Sequence, residues 1–226
     1  MTDVVDRAAR IVEEAGLIYL FGGGPATDLP NLHTEITGRD AIVEWDADTD
    51  AVWRLRGGLP ARGAAWYGEW LRNRGTFVAI RLLPAALAWM DTPADEVAGV
   101  DVARSLSEDA GMLYESLLIE GPLSSVELRH AVGLTGPHNT PAFSRGLSAL
   151  RRRLLITTVG TAARGSSWES AVYELTARAL PLADLPDRDG ALGQLLVAYR
   201  SAAQEPTPLG AARLFRTPVA SVRSAW

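Results

Sequence analysis

Apolar positions recur at helical spacing over residues 3–15, with Val4, Ala8, Ile11, Val12 and Ala15 on one side and Gly16 as the stop. The period then changes. Residues 17–21 form an unbroken apolar run, which predicts a strand, and Gly22-Gly23-Gly24-Pro25 predicts a flexible turn after it. Asn31 caps a predicted helix to Thr37 that ends at Gly38. Residues 46–50 read as an acidic turn that leads into a helix carrying Val52, Trp53 and Leu55. Pro60 predicts the start of a further helix, on which Trp66, Tyr67, Trp70 and Leu71 lie close together. Residues 76–82 read as a strand and 84–90 as a short apolar helix. Residues 91–106 are the best candidate for a linker.

The second half repeats the alternation more clearly. A helix over 108–120 turns Leu113, Leu117 and Leu118 inward, and Gly121-Pro122 breaks it. Ser124-Ser125-Val126-Glu127 fits a capping box, in which the Ser hydroxyl accepts from a backbone N–H and Glu reaches back. The helix that follows carries Leu128, Ala131 and Val132 and stops at Gly133. Asn139 or Thr140 caps a third helix, with Pro141 in its first turn. Phe143, Leu147, Leu150 and Leu154 fall within a stripe of about 60° on that helix. The same wheel sends Arg145, Ser148 and Arg152 to the opposite side. Residues 154–159 predict a strand, 160–167 a Gly- and Ser-containing wing, and 170–175 the returning strand. This is the pattern of a winged helix-turn-helix. The tail adds a helix over 191–203, then a helix, turn and helix over 206–226 that resemble a truncated helix-turn-helix.

The expected fold is therefore α+β and mostly helical, with winged helix-turn-helix units packed together. Residues 1–90 form an N-terminal α/β, winged-helix-like region, 107–180 a winged helix-turn-helix, and 190–226 a helical tail.

Composition sharpens this. The chain has 226 residues and a net charge of −5. Residues 139–166 hold five arginines (Arg145, Arg151, Arg152, Arg153, Arg164) and no acid, so this segment carries +5 and everything else −10. Positive charge is thus concentrated where such a module would meet nucleic acid, and neutralising phosphates supplies most non-specific nucleic-acid affinity. Arg145, Ser148, Arg151 and Arg152 on the third helix and Arg164 at the wing are the candidate DNA-binding residues. All 22 basic residues are arginine, which rules out Schiff-base or P-loop lysine chemistry. The absence of cysteine removes disulfides, zinc–thiolate sites and thiol catalysis. No apolar run is long enough to span a bilayer and the N-terminus lacks a signal-peptide core, so a cytoplasmic location is expected.

Other candidate chemistry weighs little. The glycine run lacks the Gly-Lys-Ser/Thr of a P-loop. His33, His130 and His138 are isolated, so no metal site is expected, and no cofactor motif is present. Asp46, Asp48 and Asp50 lack the Gly and distal Glu of a calcium loop and suit a helix N-terminus instead. Trp66, Tyr67 and Trp70 could stack bases, but large aromatics at this density usually form a core.

Several stretches together resemble the AlkZ-type winged-helix DNA glycosylases and, more closely, their shorter AlkZ-related relatives. They are residues 16–21 (GLIYLF), 29–40 (LPNLHTEITGRD), 74–84 (RGTFVAIRLLP), 121–134 (GPLSSVELRHAVGL) and 143–160 (FSRGLSALRRRLLITTVG), so the resemblance covers most of residues 5–180. It implies tandem winged-helix units around a concave, duplex-binding channel. It also implies a Gln-x-Gln or Gln-x-Asp pair after the first helix, which activates the water that hydrolyses the N-glycosidic bond. Those positions are Tyr19 and Phe21 here. Phenylalanine cannot orient water, and tyrosine, with an ordinary pKa near 10, is a poor base at neutral pH.

Three functions follow as expectations. The first is a non-catalytic binder of double-stranded DNA, regulatory or lesion-recognising, within DNA repair. The second is an active glycosylase with a reassigned carboxylate, for which Glu35 is the nearest candidate. The third is an assembly module, such as a homodimer, for which a terminal helix ending in Trp226 is the pointer. A continuous positive groove joining the wing to Arg72, Arg74 or Arg81 would favour the first.

Overall fold

Gly16 turns the chain out of α1 (Thr2–Ala15) at φ 72°, a left-handed conformation that glycine adopts without a Cβ penalty. The chain runs at once into β1 (Leu17–Tyr19), then through α2 (Leu32–Thr37) and α3 (Ala47–Ala61). It completes an antiparallel sheet with β2 (Ala65–Glu69) and β3 (Gly75–Ala79), in the order β1-β3-β2. The computed structural model describes residues 2–22, 28–92, 102, 105–164, 167–181 and 184–226, with 2–3, 163–164 and 167–168 described by their main chain only. Most of the expected 91–106 linker and of the glycine run after Gly22 lies outside the described residues.

Side chains alternate across this first sheet. Leu17, Tyr19, Trp66 and Val78 face one buried cluster, and Ile18, Leu20, Phe77 and Ala79 face another. Burial on both faces explains why residues 17–21 read as continuously apolar. The second cluster packs on α1, α2 and α3 through Ala8, Val12, Leu32, Val52 and Leu55. The first is covered by α4 (Leu83–Trp89) and by the tail helices α9 (Arg188–Ala202), α10 (Pro208–Phe215) and α11 (Val219–Ala225), whose Leu195, Tyr199, Phe215 and Val222 join it. Trp226 packs there too, 6.3 Å from the Tyr199 ring, so the terminal tryptophan is partly buried in its own chain and does not stand out as a docking point.

One expected element is replaced. No helix opens at Pro60. Pro60 lies in the last turn of α3, and residues 65–69 form β2. The Asp46 side chain accepts from Thr49 N at 2.8 Å and starts α3 early, while Gly63 at φ 65° reverses the chain into the strand. Trp66 then goes into the core and Tyr67 to the opposite face, a period of two that the tryptophan spacing had disguised.

The second half contains α5 (Glu108–Glu120), β4 (Leu123–Ser124), α6 (Ser125–Ala131), α7 (Thr140–Arg152), β5 (Ile156–Arg164) and β6 (Ser167–Leu175), with sheet order β4-β6-β5. A single turn, α8 (Thr176–Ala179), follows. The capping box at Ser124 and Glu127 is present. Both halves therefore run helix, strand, helix, helix, strand, strand, with the last strand in the middle of the sheet. The chain is α+β and mostly helical, and no helix among the described residues is long and apolar enough to cross a membrane.

The halves meet along α3, β2 and β5. A Cβ on Gly57 would stand 3.2 Å from the Cα of Gly160, so helix and strand touch backbone to backbone. Trp66 is fully buried and donates from Nε1 to Ile156 O at 3.2 Å and Thr176 Oγ1 at 3.1 Å. The Tyr67 amide donates to Thr157 Oγ1 at 3.1 Å, and that hydroxyl donates back to Tyr67 O at 3.2 Å. Burial pushes the Tyr67 phenol up to about 12.

Candidate nucleic-acid interface

Helix α7 holds four of the five candidate DNA-binding residues, and its register sends them to three different places. Phe143, Leu147 and Leu150 are buried against α5 and the second sheet, as the apolar stripe requires. Arg145 is exposed and donates from Nη2 to Asp109 Oδ2 at 3.0 Å. Ser148 and Arg151 turn towards the first half instead. Ser148 Oγ donates to Glu69 Oε2 at 3.1 Å, and Arg151 Nη1 to Glu69 Oε1 at 3.1 Å. Arg151 Nη2 also donates to the Tyr173 hydroxyl at 2.6 Å, and only 18% of its side chain is accessible. These two residues close the joint between the halves.

Arg152, one position on, is exposed and lines a cleft of about 330 Å³. Arg72, Arg188 and Arg216 line the same cleft, with Trp70 and Trp89 among its walls. Arg152 comes from the second half, Arg72 from the turn between β2 and β3, and Arg188 and Arg216 from the tail. Arg164 ends β5, where its main chain pairs in register with Ser167, and its side chain lies outside the described residues.

The positions implied for a water-activating pair hold a different arrangement. Tyr19 is fully buried and donates from its hydroxyl to Asp28 Oδ1 at 3.0 Å. The other Asp28 oxygen forms an ion pair with Arg72 Nε at 3.1 Å. Burial, reinforced by the Asp28 charge and hydrogen bond, raises the Tyr19 pKa above its ordinary value, so the phenol stays protonated. Phe21 sits in an aromatic group, stacked at 12° on Trp53 with ring centroids 6.0 Å apart, and edge-on to Trp45 and His33. Glu35 is exposed in the first turn of α2, and its carbonyl accepts from Arg7. Asp28 escaped sequence reasoning. It is a lone acid in a loop, without periodicity or motif, and only the fold brings it beside Tyr19 and Arg72.

Asp46 and His33 have structural roles. Asp46 caps α3 and pairs with Arg39, whose hydrogen bond holds the Asp46 carboxyl well below the usual carboxylate range. His33 is buried with Nε2 3.5 Å from Thr49 Oγ1. Among the described residues no group of three or more His, Asp or Glu is placed to hold a metal ion.

No significant match was found among curated proteins or among solved structures. The family model described as AlkZ related matches residues 3–190. That span includes both repeated halves, the Tyr19–Phe21 positions and the arginine-bearing α7, and the chain belongs to the AlkZ-related family.

Proposed function

We propose that this protein binds double-stranded DNA without hydrolysing it, as a regulatory or lesion-recognising member of its family. Membership relates it to the DNA-repair glycosylases. The shared element order and strand order of the two halves support reading each as a winged-helix unit, with the tail helices as a wingless third set. The observation that carries the binding reading is the convergence of Arg152 and Arg72, from different halves, on one cleft. Arginines thus extend from α7 across the joint to the tail, where Arg216, like Arg152, has no carboxylate partner among the described residues. Ser148 and Arg151 are engaged with Glu69 at the joint, so the α7 residues that meet phosphates are Arg152, which has no carboxylate partner among the described residues, and Arg145, whose exposed guanidinium exchanges its surface pairing with Asp109 for phosphate. Against hydrolysis stand the protonated phenol of Tyr19, the hydrocarbon ring of Phe21 and the surface position of Glu35.

The test is duplex binding by fluorescence anisotropy across a salt series. The protein binds at low salt, and affinity falls steeply as salt rises. Arg145→Ala with Arg152→Ala weakens binding and reduces the slope of log K against log salt by about 0.9 for each phosphate no longer neutralised. No binding at low salt, or binding unchanged in the double variant, refutes the reading. Release of a base from alkylated DNA would instead establish a glycosylase.

A further inference from the structure

The cleft bounded by Arg72, Arg152, Arg188 and Arg216 has properties that a surface for duplex backbone does not need. Arg72 is held by buried Asp28 at 3.1 Å, and Arg188 by Asp91 at 3.1 Å, with its guanidinium 4.7 Å from the Trp89 ring centroid. Arg152 and Arg216 have no carboxylate partner among the described residues. Two guanidinium charges are thus left uncompensated beside two others that are already paired. A phosphomonoester carries about −1.5 to −2 charge at pH 7, which matches that excess. A phosphodiester within a strand carries −1 and is substituted on both sides.

Backbone conformation adds a second, independent observation. Five non-glycine residues among those described have positive φ, and three of them line this cleft: Arg72 at 52°, Asp91 at 50° and Arg216 at 52°. Asn73, a fourth, follows Arg72 at 55°. Non-glycine residues reach this region at an energetic cost, and such residues gather at binding sites. Arg216 is the clearest case. It is the left-handed C-cap of α10, a place where glycine is the usual residue and where Gly38 caps α2. The local backbone would be better served by glycine, so what arginine adds there is its side chain. Trp70 and Trp89 give the cleft apolar walls, which lower the local dielectric and strengthen ion binding.

We infer that this cleft is a binding site for a terminal phosphate, the phosphomonoester of a nucleotide. Arg152 and Arg216 meet the phosphate, and Arg72 and Arg188 frame it. The phosphate can belong to a free mononucleotide or to the 5′ end of a DNA strand. In the second case the site rests on the DNA-binding reading and deepens it from duplex to strand end.

The experiment is calorimetric titration of the full chain with deoxyadenosine 5′-monophosphate and with deoxyadenosine, alongside anisotropy with a hairpin duplex bearing either a 5′-phosphate or a 5′-hydroxyl. Arg216→Gly removes the guanidinium while suiting the left-handed backbone, so thermal stability is held or raised as binding falls. Arg152→Ala removes the second guanidinium on an exposed position. Each variant is expected to weaken the phosphate-bearing probe by at least about 10-fold, the effect of losing a charged hydrogen bond. Binding of the mononucleotide but not of deoxyadenosine, lost in both variants, supports the site and assigns it to a free nucleotide. A preference of about 10-fold or more for the 5′-phosphorylated hairpin, lost in both variants, supports it and assigns it to a strand end. The inference is overturned if neither phosphate-bearing probe is preferred, or if both variants bind as the parent does. Duplex binding indifferent to the 5′-phosphate, with no mononucleotide binding, overturns the site and leaves DNA binding standing. Mononucleotide binding without duplex binding does the reverse.

Discussion

Replacing Arg151 by alanine separates the two roles that α7 offers its arginines. The side chain is 18% accessible and sits at the joint between the halves. It pairs with Glu69 at 3.1 Å, donates to the Tyr173 hydroxyl at 2.6 Å, and lies with its guanidinium 5.0 Å from the Tyr173 ring centroid. Glu69 is 41% accessible, so the ion pair itself counts for less than about 1 kcal/mol. The bond from a charged donor to a partly buried hydroxyl is worth about 1.5 kcal/mol, the low end of its range, and the interaction with the ring about 0.5 kcal/mol. Arg151→Ala should therefore cost about 2–3 kcal/mol. In a chain of this size that corresponds to a Tm lower by roughly 4–12 °C. The neighbouring Arg152→Ala, on an exposed position, should stay within about 0.5 kcal/mol of the parent. Urea unfolding of both variants, with duplex affinity measured below their transitions, gives the comparison. Arg151→Ala loses stability and keeps its affinity, and Arg152→Ala keeps stability and loses affinity. If Arg151→Ala is as stable as the parent yet binds DNA poorly, then Arg151 leaves Glu69 to meet phosphate and does not hold the joint.

Two further outcomes are expected. A Cβ at Gly146 would stand 2.8 Å from Asp109 O and 2.8 Å from Leu113 Cδ1, so Gly146→Ala should force α5 and α7 apart and cost about 1–3 kcal/mol in urea unfolding; a variant as stable as the parent would show that this helix packing yields freely. The raised pKa values of Tyr67, at about 12, and Tyr19 lie above that of an unfolded tyrosine, so their contribution to stability is complete below about pH 10 and is lost as pH rises towards 12. Absorbance at alkaline pH, compared between the parent and Tyr19→Phe and Tyr67→Phe variants, should show that the component each variant loses ionises above the ordinary tyrosine range, and loss of a component near pH 10 would contradict their burial.

Much of the fold was legible because its signals are local. The capping box at Ser124 and Glu127, the stop at Gly16, the Asn31 cap and the Phe143–Leu147–Leu150 stripe act within one or about two turns of helix, and each appears where the spacing puts it. Pro60 misled because proline suits both the start of a helix and, less often, its last turn, and the choice lay with the Asp46 cap 14 residues earlier. The site was less legible. The helical wheel placed Arg145, Ser148 and Arg152 together on the outer face of α7, but it could not show that Glu69, 79 residues from Ser148, waits beside that face. The tail was readable as helices and not as the lid over the Leu17, Tyr19 and Val78 face of the first sheet.

By itself, then, the amino-acid sequence determined most of the elements, though not β2, together with the family and the concentration of positive charge on α7, since periodicity, caps and composition are properties of short stretches. The tertiary structure alone decided what each charge does. It engaged Ser148 and Arg151 with Glu69, buried Asp28 between Tyr19 and Arg72, and brought Arg72, Arg152, Arg188 and Arg216 to one cleft. The physical reason is distance. An arginine acts on whatever lies within a few ångströms of its guanidinium, and that neighbour is chosen by how the halves and the tail pack together.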